Sequence, residues 1–380
     1  MTRVMLSCGE ASGDLYAGAL VAALRKREPD IDVFGLGGER FAAAGGRRIA
    51  DFHGLAVTGL TEALSVIPRS LATLRQLVDA AKREQPGAVI LIDYPDFNFR
   101  LMTRIKRLRI PVIYYVSPQL WAWRAGRIKL MKRMVDRVLP IFPFEEAIYQ
   151  RERMDVRFVG HPLVDLAQAR TSREAFLRGL KLDPARPVLA LLPGSRPNEV
   201  ERLASVMAQA IAAITEKVPD IQFVVARAPN LDDGLFEPFG LSQVTLRIAD
   251  MQTDEVLNAA DAVVTASGTA TVQTALHGKP MVVVYKLSPM TYRIGKRMAR
   301  VDTYAMVNLI AGERIVKELI QDECTPAAVA AEAVALITDA DYRRRMIGAL
   351  EGVRARLGGP GASDRAAEAV LDVIHSVNAS

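Results

Sequence analysis

The chain has 380 residues, half of them hydrophobic, and 49 Lys and Arg against 43 Asp and Glu give it a net charge of +6 and a pI near 9.3. That length exceeds what one core commonly serves, so two domains are expected. The moderate basic excess suits an anionic small molecule, an anionic membrane surface or nucleic acid without choosing among them. Cys8 and Cys324 lie far apart with no partner pattern, which argues for a reducing compartment and against a zinc site. The chain shows no signal peptide and no run of about 20 apolar residues, so a cytosolic protein without a membrane span is expected.

Strand and helix patterns alternate almost throughout, as in parallel sheets covered by helices. Residues 3–7 read as the first strand, Gly9-Glu10-Ala11-Ser12-Gly13-Asp14 as a glycine turn, 15–27 as a helix and 31–36 as a second strand. Residues 60–84 give a long helical pattern interrupted at Pro68. Its Leu64, Val66, Ile67, Leu71, Leu74 and Leu77, with Arg69 and Arg75, fit an amphipathic core helix or a lipid-facing one. The unalternating run 88–92 reads as a strand buried on both faces, stopped by Asp93 and turned at Pro95. A carboxylate at the carboxyl end of such a strand sits where open α/β sheets place ligands. Asp93 is therefore a candidate for chemistry, or else a cap of the helix beginning near Phe97. Residues 97–108 read as that helix, and 111–116, 135–142 and 157–159 as strands, before Gly160-His161-Pro162, where a lone histidine reads as structural.

A charged, helix-prone stretch over 165–181 leads through Asp183-Pro184-Ala185-Arg186-Pro187 to a fresh start. The strand 188–192, the turn PGSRPNEV and a helix through Lys217 are followed by strands at 221–226, 244–248, 262–265 and 281–285; from Pro326 onward the pattern is helical only. Two α/β halves of similar size suggest twin Rossmann-like domains with a cleft between them.

Three turns carry chemistry. In the first, glycines free backbone amides at a helix N-terminus, but Glu10 and Asp14 would repel phosphate, so a sugar hydroxyl is the better partner; a tight turn with Asp14 near the cap is the alternative. In the second, Gly194 permits close approach, Ser195 caps or donates, and Arg196 offers a planar fork to phosphate, with Glu199 and Glu201 available to hold it. In the third, Ser267, Gly268, Thr269, Ala270 and Thr271 open a helix and make a diphosphate cradle beside the second, or simply cap that helix. Both tryptophans, Trp121 and Trp123, adjoin Arg124, with Arg127, Lys129, Lys132 and Arg133 close behind. This segment suits sugar stacking, an anionic acceptor or a membrane interface, or else plain packing beside a solvated basic helix.

Taken in order, GEASGD, DYPDFN, SPQLWAWR, GHP, LPGSR, SGTAT and NLIAGE give the chain a specific resemblance, over essentially its whole length, to the lipid-A-disaccharide synthase family. The resemblance implies the two-domain GT-B glycosyltransferase fold. The N-terminal acceptor-side domain is expected over 1–165 and the UDP-sugar-binding domain over 166–350, with a helical segment over 351–380 free to pack back on the first. It implies inverting transfer of 2,3-diacylglucosamine from UDP to 2,3-diacylglucosamine 1-phosphate, giving a β-1,6-linked tetraacyl disaccharide 1-phosphate and UDP. No cofactor, metal ion or nucleic acid is expected. Acylated substrates imply a peripheral protein on the inner face of the cytoplasmic membrane, with a homodimer left open. A UDP-sugar 2-epimerase of similar fold is the alternative.

The resemblance places the essential aspartate at Asp93, the nucleotide-binding arginine at Arg196 and a functional asparagine at Asn308. Gly194, Ser195, Ser267, Gly268, Thr269, Ala270, Thr271 and Gln273 join the donor side; Gly9, Glu10, Ser12, Gly13, Asp14, Trp121, Trp123 and Arg124 make the sugar or acceptor side. Asp96 keeps the helix-cap reading. The chain departs from the family at Gln273, where a glutamate is usual, and at Glu313, where an arginine is usual and Arg314 comes one residue later.

Overall fold

The structure, a computed structural model, describes residues 1–52, 60–120, 125–229, 231–240, 244–288, 292 and 303–378. It divides into two compact units, Met1–Asp165 with Leu357–Ser380, and Leu166–Arg356.

The first unit is built on β1 (Arg3–Ser7), β2 (Asp32–Leu36), β3 (Arg47–Ala50), β4 (Ala88–Ile92), β5 (Val112–Tyr115) and β6 (Arg137–Leu139). These strands are parallel and ordered β3-β2-β1-β4-β5-β6. The second unit holds β7 (Val188–Leu192), β8 (Gln222–Arg227), β9 (Leu246–Asp250), β10 (Ala262–Ala266), β11 (Met281–Tyr285) and β12 (Lys317–Ile320). Its order, β12-β11-β10-β7-β8-β9, is the same doubly wound 3-2-1-4-5-6 pattern. In each sheet the strand order reverses between the first and fourth strands, at β1/β4 and β7/β10. Every residue of β4, β7 and β10 is buried, as their unalternating apolar sequences require.

Several boundaries differ from the sequence expectation. Strands β3 and β12, RRIA and KELI, are charged edge strands whose pattern is too weak to stand out. Residues 157–159 are not a strand; only Val156 bridges to Val138 before the chain leaves the sheet. Pro68 lies inside one continuous helix, Leu60–Glu84. The helix-prone stretch 165–181 holds the end of one short helix, Leu163–Leu166, and all of another, Arg173–Gly179. The last helix, Ala362–Asn378, packs on the first, Ala11–Arg27, within the first unit. Asp165 anchors its start by accepting from the amides of Gly361 and Ala362, and Arg157 pairs with Glu368 at 3.1 Å along its length.

Candidate active site

The turns after β1 and β4 flank the reversal point of the first sheet. Asp93 and Tyr94 both adopt left-handed backbone, with φ of 42° and 48°, a conformation that costs a side-chain-bearing residue about 1–2 kcal/mol. Hydrogen bonds hold it there. The Asp93 carbonyl accepts from Asn98 Nδ2 at 2.7 Å and from the Tyr114 hydroxyl at 2.9 Å, and its amide donates to the Val116 carbonyl. Asn98 is fully buried, and its Oδ1 accepts from Ser7 Oγ at 2.7 Å, so one side chain ties the end of β1 to the end of β4. Asp93 itself is half-buried. The helix that follows, Pro95–Ile105, has Tyr94 as its N-cap. Asp96 therefore stands in the first turn, paired with Arg127 at 3.1 Å, and is not the cap the sequence suggested.

Gly9 is a steric requirement. A Cβ there would fall 2.1 Å from Cδ1 of Tyr94, whose ring lies over the glycine and stacks on Phe97 with centroids 5.4 Å apart. Burial, with Glu10 and Asp96 nearby, pushes the Tyr94 phenol up to about 12. Glu10 is the N-cap of the first helix, Ser12 is half-buried, and a Cβ on Gly13 would lie 3.3 Å from Cys8 Cβ. Asp14 turns inward. Only 4% exposed, its carboxylate accepts from the amides of Gly38, Arg40 and Phe41 and so caps the helix Glu39–Ala43. Three backbone amides thus share its charge. His161 is buried between the rings of Tyr16 and Phe142, and its Nδ1 accepts from the Leu163 amide. Trp121, Trp123 and Arg124 lie outside the described residues.

The turns after β7 and β10 flank the corresponding point of the second sheet. Gly194, at φ +127°, lets the chain pass within 2.8 Å of where its Cβ would meet Glu199. Arg196 is the N-cap of Pro197–Lys217, and its Nη1 donates to Glu199 Oε1 at 3.0 Å. Ser195 does not cap; its amide donates to the other oxygen of Glu199. After β10, Gly268 at φ +141° is the N-cap of Thr269–Leu276, with open space where its Cβ would be. Gly268 and Thr269 are exposed, and neither Ser267 nor Thr269 caps this helix: Ser267 Oγ donates to the Tyr304 carbonyl. Ala270 is half-buried and Thr271 bonds the Gly268 carbonyl at 2.8 Å. Gln273 donates to Asp254 at 2.7 Å.

Asn308 is 1% exposed and spent on its own fold. Its Oδ1 accepts from the amides of Ile315 and Val316, and its Nδ2 donates to Glu318 Oε1 and the Val316 carbonyl. Glu318 also accepts from the amides of Tyr304 and Ala305. The pair thus fixes the segment whose carbonyl receives Ser267. Glu318 and Asn98 were missed in the sequence. Asn98 has one signal, a polar residue between two phenylalanines in PDFNF, and Glu318, in the charged strand KELI, has none.

Residues 4–367 match the family model described as lipid-A-disaccharide synthetase. The chain belongs to the lipid-A-disaccharide synthase family. The lipid-A-disaccharide synthase of Myxococcus xanthus is 43% identical over 373 residues, spanning 98% of this chain and 97% of that one. Among solved structures, a UDP-GlcNAc 2-epimerase from Neisseria meningitidis bound to UDP-GlcNAc superposes with a TM-score of 0.71 at 15% identity, covering 98% of this chain and all of its own. CalG4, the calicheamicin glycosyltransferase, gives 0.61 at 17% identity over 99% and 98% of the two chains. These likenesses show the shared two-domain fold, and the epimerase is a neighbour in fold alone. As a lipid-A-disaccharide synthase family member, the chain is a glycosyltransferase. Among the described residues no helix is long and apolar enough to cross a membrane.

Proposed function

We propose that this chain transfers 2,3-diacylglucosamine from its UDP derivative to the 6-hydroxyl of 2,3-diacylglucosamine 1-phosphate, with inversion, releasing UDP and the β-1,6-linked tetraacyl disaccharide 1-phosphate. Asp93 takes the hydroxyl proton as the oxygen attacks the anomeric carbon and the bond to UDP breaks. The charge that gathers on the leaving diphosphate is met by Arg196 and by the amides opening the helix at Gly268 and Thr269. The observation that carries this reading is the Asp93 backbone, held in a left-handed conformation at the carboxyl end of β4 by Asn98 and Tyr114; strain of that kind concentrates at functional sites. Glu10 and Ser12, on the neighbouring turn, receive acceptor hydroxyls.

The substrates carry acyl chains, and Ile67 and Leu71, 42% and 37% exposed on the helix Leu60–Glu84, lie beside exposed Arg69 and Arg75. An apolar strip with cations suits peripheral attachment to the anionic inner face of the cytoplasmic membrane. Flotation with anionic vesicles at low salt should carry the protein up, and Ile67→Ser with Leu71→Ser should reduce it.

The deciding experiment mixes purified protein with both acylated sugars and measures disaccharide and UDP. The two products should form one for one and only when both sugars are present; UDP release without the acceptor refutes the reaction. Asp93→Asn should abolish turnover and leave UDP affinity within about twofold, since the general base does not contribute to holding the nucleotide.

A further inference from the structure

Among the described residues nine besides glycine take left-handed backbone, and Val116, at φ 57°, is the β-branched one. A branch at Cβ makes that conformation a genuine outlier, more costly than for the unbranched side chains that share it. Val116 directly follows β5. The register of β4 on β5 closes at the pair Ile92 and Tyr115, so Asp93 and Val116 are the next residues along two neighbouring strands. Both leave their strands through left-handed backbone. The Asp93 amide donates to the Val116 carbonyl at 3.2 Å, and the Val116 amide donates to the Leu139 carbonyl, at the end of β6, at 3.1 Å. Three strand ends are thereby linked in a row.

Glycine or asparagine would take this backbone with little strain, so the turn by itself does not call for valine. Valine adds stiffness. Its side chain is 8% exposed, and a branched group seated in a close-packed interior has few rotamers to move to. The backbone beneath it cannot relax without unseating it, whereas glycine would be free to leave the conformation. Asn98 and Tyr114 fix the Asp93 carbonyl; Val116 fixes the amide of the same residue.

We propose that Val116 is a positioning residue whose locked left-handed turn holds the carbonyl that anchors the Asp93 amide, and so keeps the Asp93 carboxylate at the acceptor hydroxyl. This rests on the reading of Asp93 as the general base. The strain at Val116 is then part of the active-site geometry, as strain of this kind is at other functional sites.

Val116→Gly and Val116→Ile in the full chain test it, by steady-state kinetics and by amide hydrogen exchange. Val116→Gly should lower kcat about tenfold, as a displacement of a fraction of an ångström does, and leave KM for both sugars within about twofold. Exchange of the Asp93 amide should quicken about tenfold while the amides within β4 keep their protection. Val116→Ile, still branched, should keep kcat within about twofold of the wild type. A folded Val116→Gly with wild-type kcat overturns the proposal. Exchange that quickens throughout β4 also overturns it, because a merely structural role loosens the whole unit. Turnover retained by Asp93→Asn would instead remove the base assignment, and the exchange result would still report whether Val116 anchors the Asp93 amide. Should Val116→Gly not fold, Val116→Asn, which takes this backbone readily and lacks the branch, should show the same loss of kcat; wild-type kcat there overturns the proposal.

Discussion

Asn98→Ala is the sharpest probe of the first unit. The side chain is fully buried and makes two short hydrogen bonds, Oδ1 from Ser7 Oγ and Nδ2 to the Asp93 carbonyl, each 2.7 Å. Its longer contacts, Nδ2 to the carbonyls of Ile92 and Ser7 at 3.3 and 3.4 Å, share the same amide and add little. Truncation strands the Ser7 hydroxyl in a site with no exposure and leaves the Asp93 carbonyl to Tyr114 alone. One stranded buried donor, one lost net bond and a small cavity together cost about 3 kcal/mol. For a unit of this size that lowers the melting temperature by about 9 °C in scanning calorimetry. With the Asn98 bond gone, Asp93 drifts from its left-handed setting, and a misplacement near 1 Å costs turnover about 100-fold. Ser7→Ala is the control, because it removes a bond to Asn98 while leaving the clamp on Asp93 in place. It should lose stability, by about 1–2 kcal/mol, and keep its kcat. Equal kcat values for Asn98→Ala and Ser7→Ala would refute the reasoning, since stability alone would then explain both.

Arg196→Ala should weaken UDP binding about tenfold by calorimetry, a moderate loss because the group is 43% exposed and already paired with Glu199; unchanged affinity removes it from the diphosphate clamp. Gly9→Ala should unfold or inactivate the first unit by driving a methyl into the Tyr94 ring, and Tyr94→Ala in the same chain should recover folding measured by circular dichroism. Burial holds His161 neutral and pushes its pKa down to about 3. Its stabilising effect is complete above the unfolded value near 6.5 and falls away as pH drops toward 3, amounting to about 2 kcal/mol lost by pH 5. Urea unfolding at pH 7 and pH 5 should show that loss in the wild type and a smaller one in His161→Phe.

The doubly wound strands were legible because β4 and β7 are unbroken apolar runs, and β10 nearly so, each ending in turn residues, a pattern that burial on both faces demands. The place of Asp93 at the carboxyl end of β4 was legible for the same reason, as the first charge after such a run. What sequence could not reveal is which polar side chains turn inward. Asp14 and Ser12 occupy the same motif, yet only Asp14 meets three amides of the next crossover, a contact 24 to 27 residues distant. Asn308 read as a motif residue and Glu318 went unnoticed, and only the fold of the chain at 312–316 brings them to 2.7 Å. Residues 157–159 were expected as a strand and stay close to one: the amides of Arg157 and Val159 donate to the carbonyls of Val138 and Pro140, but the contact amounts to an isolated bridge at Val156.

The two units share one strand order but carry opposite chemistry at their reversal points, and that difference argues for the proposed division of labour. The turns of the first present Glu10 and Asp93; a diphosphate there would meet two carboxylates with no cation on either turn. The turns of the second present Arg196 and an uncovered helix start at Gly268, where backbone dipoles and a guanidinium act in the same sense. A leaving diphosphate needs positive charge around it, and of the two copies of this topology the second carries that charge on its turns.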